Sequence, residues 1–327
     1  MAKSLVPLKL ALGEHAHTKA MVSGKIPIEG VQPEFVRVVP QIAAYRRMVR
    51  NVEFDVCELA PTTYIIARGY GAPFVALPIF VGRGFHHRGI VVRPDSGIKV
   101  PKDLEGKKVG VRAYSVTTGV WTRGIFIDEF GLDTSKVTWV VDDEEHVTQL
   151  KLPPNVIHAK EGTSLVEMMA KGEIQAGFSG PAGLGRAGKP TEGWEAKSIA
   201  PADYPVLLPN AKELEADHYK RTGIYPMHGT VVVKDSVLKE HPWIAQSLYK
   251  AYSQSKAEWM AGFKAGVDQS DIDKKFRTVL PIVGDDPIPY GMAKNLPTIK
   301  ALESYAFKQG LTPKRMSLDE LFVDPEK

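Results

Sequence analysis

The sequence predicts an α/β protein organised as two lobes. Short apolar segments with strand patterning alternate with helix-forming segments through short connections, the pattern of a largely parallel sheet with helices on its faces. A second strand–helix series opens at Val100-Pro101-Lys102-Asp103, after a Pro- and Gly-marked crossing at 94–97. With 327 residues the chain exceeds the roughly 100–200 of one domain. Its 43% hydrophobic and 24% charged content suits a folded core and excludes disordered and fibrous classes. The expected division is residues 1–93 with 230–327 as the first lobe and 94–229 as the second.

The first strand is Leu8-Lys9-Leu10-Ala11-Leu12, which alternates and stops at Gly13, opening onto the polar loop Glu14-His15-Ala16-His17-Thr18. A second strand at 34–39 leads into a helix over 41–50, and Phe54-Asp55-Val56-Cys57-Glu58 is a short strand that delivers Glu58 to another loop. Pro61 sits in its favoured first turn at the start of a helix running to about residue 68. Two apolar strands between 74 and 92 flank the polar, Gly-rich loop Gly82-Arg83-Gly84-Phe85-His86-His87-Arg88, a second site candidate. In the second lobe a strand ends at Arg112-Ala113-Tyr114-Ser115. Thr117 and Thr118 then cap a helix over 119–130, whose free N–H groups favour an anion.

Further on, a helix over 164–171 is closed by Gly172, and a strand over 174–179 ends in the Gly-rich loop 180–188. An irregular connection follows at 201–209, and a strand over 230–233 returns the chain to the first lobe. Helices are expected over 242–263, 290–309 and 317–322.

The 42 basic and 38 acidic residues leave a net charge of +4 without a long basic run, which argues against a nucleic-acid partner and suits one small anionic ligand. Cys57 is the lone cysteine, read as a buried structural thiol and weakly favouring a reducing compartment. The first residues lack an apolar run of signal-peptide length, and no stretch approaches the ~18 apolar residues of a membrane span, so a cytoplasmic protein without a membrane partner is expected. A homo-oligomer is compatible with this reading.

Asp103-Leu104-Glu105-Gly106-Lys107-Lys108-Val109-Gly110-Val111, Met168-Met169-Ala170-Lys171-Gly172-Glu173-Ile174-Gln175-Ala176 and the segment 230–242 resemble the type II periplasmic-binding-protein architecture. That resemblance implies two lobes with two crossover strands and a ligand cleft between them. Within it, Phe85-His86-His87, Val120-Trp121-Thr122-Arg123-Gly124-Ile125, Arg221-Thr222-Gly223-Ile224-Tyr225-Pro226-Met227-His228, Leu248-Tyr249-Lys250-Ala251 and Gly284-Asp285-Asp286-Pro287-Ile288-Pro289-Tyr290-Gly291 are similar to the 4,5-dihydroxyphthalate decarboxylase family, in the same order over nearly the whole chain. Glu14-His15-Ala16-His17 stands where that family is expected to carry an acidic-aromatic-acidic-basic run, and Pro61-Thr62-Thr63 where it shows serines. The resemblance therefore implies the reaction type, non-oxidative decarboxylation, more directly than the ring substitution of the substrate. Its example is 4,5-dihydroxyphthalate going to 3,4-dihydroxybenzoate.

Loss of CO2 from an arene needs an acid at the ring carbon, a base or metal at the hydroxyls and cations at the carboxylates. On that chemistry His87 and His228 are the catalytic candidates together with Glu58, against capping or packing roles for the two histidines. Arg83, Arg88 and Arg123 are carboxylate receptors, with surface arginine as the alternative; His86, Tyr114, Thr117 and Thr118 complete the substrate-binding set. His15 and His17 share a side if extended, and with Glu58 they are a candidate site for zinc, manganese or iron, against ordinary hydrogen-bonded polar residues. No organic cofactor is expected. Trp121 is read as core, His146, His158, His218 and His241 as solvated, and Asp285 and Asp286 as orienting a histidine or capping a turn. A rival from another class is an ABC-transporter-type solute-binding protein for an aromatic carboxylate, and a third possibility is an enzyme of the same fold acting on another cyclic acid.

Overall fold

Residues 4–185, 204–267 and 270–327 are described by a computed structural model, in which the chain forms two α/β units. Met1–Gly84, Gly223–Thr298 and Met316–Lys327 belong to the first, Phe85–Thr222 and Ile299–Arg315 to the second.

In chain order the first unit begins with β1 (Val6–Ala11), α1 (Lys19–Val22), β2 (Val31–Phe35), α2 (Gln41–Asn51), β3 (Val56–Leu59), α3 (Pro61–Gly69) and β4 (Phe74–Arg83). The second unit contributes β5 (Ile90–Val92), β6 (Lys108–Val111), α4 (Thr117–Phe130), β7 (Thr138–Val141), β8 (Val156–His158), α5 (Leu165–Ala170), β9 (Ala176–Phe178) and α6 (Ala211–Thr222). The chain continues through β10 (Met227–Lys234), α7 (Asp235–Glu240), α8 (Ile244–Ala265), α9 (Asp271–Val283), α10 (Met292–Lys308) and α11 (Leu318–Leu321), and the division between units falls inside α10.

The first sheet has the order β2-β1-β3-β10-β4 and the second β5-β9-β6-β7-β8. Each is parallel except for one strand: β10 runs antiparallel to β3 and β4, and β5 antiparallel to β9. β3 is buried along its whole length and β4 over nearly all of it, as expected of strands covered on both faces. The first core joins sheet residues such as Leu10, Val56, Leu77 and Val231 to α8. That helix buries Ile244, Leu248, Ala251, Tyr252, Ser255, Trp259 and Phe263 at a spacing of three and four, one apolar stripe of a 3.6-residue period. In the second unit Val91, Val140, Leu165, Met169, Ile174 and Leu184 form a separate cluster. Trp121 and Cys57 are buried as expected.

Several expectations shift. The boundary at 93 moves back to Gly84, because Ile90–Val92 pairs with β9 in the second sheet. The boundary at 229 moves to Thr222, because Met227 and His228 already pair with Arg83 and Gly82 of β4. Residues 299–315 join the second unit, where Gln309 accepts from Arg123 at 2.7 Å. Thr117 and Thr118 do not cap α4: the helix starts at Thr117 itself, and Val116, in extended geometry, stands at the N-cap. α6 and α9 are helices where the sequence reading assigned none, and α9 carries a capping box in which Ser270 and Asp273 satisfy each other's backbone N–H groups. The loop expected over 180–188 and the connection over 201–209 lie partly outside the described residues. Among the described residues no helix is long and apolar enough to cross a membrane.

Candidate functional site

In the first sheet β1 lies between β2 and β3, so the winding reverses at the β1/β3 pair, and ligands of open α/β sheets bind outside the carboxyl ends of strands at such a point. The residues placed there are those that follow β1 and those that close β3. Glu58, only 5% exposed, accepts the Gly13 N–H at 2.8 Å and bonds His15 Nε2 at 2.9 Å through Oε2, while its Oε1 accepts from the Tyr45 hydroxyl at 3.5 Å. Two glycines make room for this carboxylate: a Cβ at Gly13 would stand 2.7 Å from Oε2, and one at Gly229 (φ +71) 2.9 Å from Oε1. Burial acts to lower the pKa of His15, but the charge of Glu58 and the hydrogen bond to it outweigh burial and hold the imidazole above its ordinary value.

His17 is 3% exposed, and its ring stands 5.3 Å from that of His15, edge-on to Trp259 at 5.8 Å and to Tyr290 at 6.3 Å. Its Nε2 and the Tyr290 hydroxyl are both buried without a hydrogen-bond partner, an arrangement that native interiors rarely leave without a reason. Burial, then the charges of His15 and Lys256, push the pKa of His17 down to about 3, so its ring is neutral near pH 7. Lys256 pairs with Asp286 at 2.6 Å and lies 4.8 Å above the Tyr290 ring; burial lowers its pKa, and burial also keeps the Tyr290 phenol protonated. Asp286 thus orients a lysine rather than a histidine.

The same sheet edge carries Arg83 at the end of β4 and His228 opposite Gly82 at the start of β10. Arg83, the expected carboxylate receptor, is engaged by the protein's own oxygens. Its guanidinium donates to the carbonyls of Tyr225 (2.7 Å) and Pro289 (3.0 Å) and to Asn295 Oδ1, and stacks on Phe80 and Tyr225. It holds the end of β4 to two loops. Burial, followed by the charges of Lys275 and Arg83, lowers His228 to about 4.

The second unit places its expected residues differently. Arg123, expected as a carboxylate receptor, is 0% exposed, donates to Gln309 Oε1 and the Tyr114 carbonyl, and stacks over the Tyr114 ring at 4.0 Å, the setting of an interior strut. Tyr114 is correspondingly buried beneath it. Thr117 is buried and Thr118 half-buried at the start of α4. The carboxyl group that stands near this helix end is the protein's own: Glu145 accepts from the Ser115 hydroxyl and from the Ser115 N–H at 3.3 Å, and burial raises its pKa. His86 is buried with its carbonyl held by the Thr122 hydroxyl at 3.0 Å, whereas Arg88 is exposed and its charge offsets part of the burial that raises Glu215.

His87 lies in a buried group with Glu129 of α4 and His218 of α6. His218 Nδ1 meets Glu129 Oε1 at 2.7 Å, and His87 Nε2 stands 3.5 Å from Oε2. His218 was expected at the surface, and so was His146; both are buried, while His158 is exposed. Glu58 and His15 are bonded to each other, and among the described residues the group of three whose ligand atoms lie within 4.8 Å of one another is His87, Glu129 and His218. Sequence reasoning missed Tyr45, Lys256, Trp259 and Tyr290 at the first edge; Tyr290 was legible only as part of the quoted 284–291 loop.

Comparison with known proteins places this geometry in context. The family described as ABC transporter, phosphonate, periplasmic substrate-binding protein matches residues 29–150. A 4,5-dihydroxyphthalate decarboxylase from Comamonas testosteroni is 30% identical over 334 residues, covering 98% of this chain and 97% of that protein. Another of that name, from Pseudomonas putida, is 36% identical over 177 residues, covering 52% and 68%. Among solved structures, the periplasmic aliphatic sulphonate binding protein SsuA of Escherichia coli superposes with a TM-score of 0.53 at 10% identity, over 98% of this chain and 93% of its own. A putative periplasmic sulfonate-binding protein of Methylobacillus flagellatus gives 0.54 at 14%, over 99% and 93%. At such identities the likeness speaks to the fold alone, which is that of the periplasmic binding proteins.

Proposed function

The chain belongs to the 4,5-dihydroxyphthalate decarboxylase family, and from that premise we propose that it is a carboxy-lyase removing CO2 from a hydroxylated aromatic carboxylate such as 4,5-dihydroxyphthalate. The observation that carries this reading is the juxtaposition of two imidazoles in unlike settings at the β1/β3 edge: His15 paired with Glu58, which raises its pKa, and the neutral His17 beside it with Nε2 unpartnered.

In this reading the neutral His17, or His228 further along the edge, takes the proton of a ring hydroxyl, and the phenolate pushes electron density toward the carbon that bears the carboxylate. His15, whose imidazolium form Glu58 favours, gives its proton to that carbon. The bond to the carboxylate then breaks, its electron pair restores the aromatic ring, and CO2 leaves. The proton taken from the hydroxyl returns to the product phenol, and one from water recharges His15, so the net change is replacement of carboxylate by hydrogen. The Tyr290 hydroxyl, a buried donor without a partner, offers a hydrogen bond to a substrate oxygen, and Lys256 supplies positive charge beside it.

The partner proposed is thus one small aromatic carboxylate, in the cytoplasm, with no organic cofactor. The test is CO2 release from 4,5-dihydroxyphthalate with identification of 3,4-dihydroxybenzoate, repeated with chelator and with added divalent metals. A second reading has support from the fold and from the family matched over residues 29–150: a binding protein that captures an aromatic carboxylate without chemistry. Saturable calorimetric binding with no CO2 released favours that reading.

A further inference from the structure

We propose that His87, Glu129 and His218, all of the second unit, bind one zinc-type divalent cation. The three come from three segments of the second unit: the connection between β4 and β5, the last turn of α4, and α6. Glu129 stands twelve residues beyond Thr117, about 18 Å along the helix axis. The group therefore lies at the opposite end of α4 from the strand ends where this fold class places ligands.

Its chemistry is that of a ligand set rather than of a completed hydrogen-bond network. His87 is 0% exposed, yet neither of its ring nitrogens has a hydrogen-bond partner, and His218 Nε2 has none either. The two imidazoles pack edge-to-face with ring centroids 5.3 Å apart, and the carboxylate of Glu129 addresses both, Oε1 toward His218 and Oε2 toward His87. One donor atom from each residue falls within the same 4.8 Å span. Two imidazole nitrogens and one carboxylate oxygen match the three-ligand sets that hold zinc with a further position for water.

Arg221 also donates to Glu129 Oε1, at 2.6 Å, and so competes with a cation. It is half-exposed and is held equally by Asp217 at 2.6 Å, so it keeps an anionic partner when the carboxylate turns to a metal. By joining three segments distant in sequence, the ion would clamp this end of the unit, and its removal would be felt first as lost stability.

The test loads chelator-treated, full-length protein with Zn2+ or Co2+ and follows metal content, the visible absorption of Co2+ and thermal unfolding. One ion per chain is expected, with tetrahedral-type Co2+ bands and a rise in melting temperature on adding Zn2+. His87→Asn and Glu129→Gln are expected to weaken binding by at least about 100-fold, and His15→Asn to leave it unchanged. Glu129→Gln preserves shape at a half-buried position and carries the test if His87→Asn fails to fold. Uptake well below one ion per chain in the wild type overturns the proposal, as does uptake that survives both variants.

Discussion

Glu58→Gln removes one negative charge from the β1/β3 edge with almost no change of shape, and an amide oxygen still accepts the Gly13 N–H. What is lost is the charge-assisted bond to His15 at 2.9 Å, in a pair whose side chains are 22% and 7% exposed. Such a bond contributes about 1.5–3 kcal/mol, and without it burial is left to lower the pKa of His15. The sign follows from its raised value in the folded protein: the imidazolium persists above the ordinary histidine range, and any step that needs it fades as pH rises through that raised pKa. In the variant the fade begins at lower pH, so CO2 release on the basic side of the profile drops about 10- to 100-fold, the rate equivalent of that bond, while the acidic side is retained. The assay is turnover between pH 5 and 9, paired with a histidine NMR titration and a thermal melt to confirm folding. An unchanged basic limb and an unchanged His15 titration would refute the proton-donor role.

Other expectations concern the frame around the site. His17 has a folded pKa near 3, far below its unfolded value, so the folded state loses stability as pH falls from about 6.5 toward 3; His17→Gln should recover about 2 kcal/mol of that acid loss at pH 4.5, read by melts at pH 7 and 4.5. Gly124→Ala puts a Cβ 2.2 Å from the Tyr305 ring and should destabilise by about 1–3 kcal/mol despite alanine's better helix propensity, read by denaturant titration. Tyr64→Phe removes a buried hydroxyl that donates to the Leu321 carbonyl and accepts the Ala76 N–H at 3.1 Å, and should cost about 1–3 kcal/mol by the same titration.

Local signals carried most of the fold. Pro61 opens α3, Gly13 ends the first strand, and alternating strands and helices define the class, because each of these is decided by backbone sterics within a few residues. Glu58, His15 and His17 were legible for the same reason: each sits at or beyond the end of a strand. Their neighbours were not, since Lys256 and Tyr290 lie about two hundred residues or more away along the chain, a distance that no spacing rule spans. The group of His87, Glu129 and His218 is equally non-local. Arg123 misled in a more instructive way. Val120, Trp121, Ile125 and Phe126 make that stretch of α4 apolar on every side, which marks a buried helix and hence a buried guanidinium. α6 was obscured by its weakly patterned, charged sequence, although Glu213 early and Lys220 and Arg221 late follow the helix dipole.

The central claim, that this chain cleaves a carboxylate from an aromatic ring through the Glu58 edge, is tested most directly by single-turnover CO2 release from 4,5-dihydroxyphthalate in the wild type and in His15→Asn. CO2 and 3,4-dihydroxybenzoate in equal amounts from the wild type, with a rate at least about 100-fold lower in a folded variant, is the predicted result. Tight binding of the substrate without CO2, or equal rates in both proteins, would contradict it.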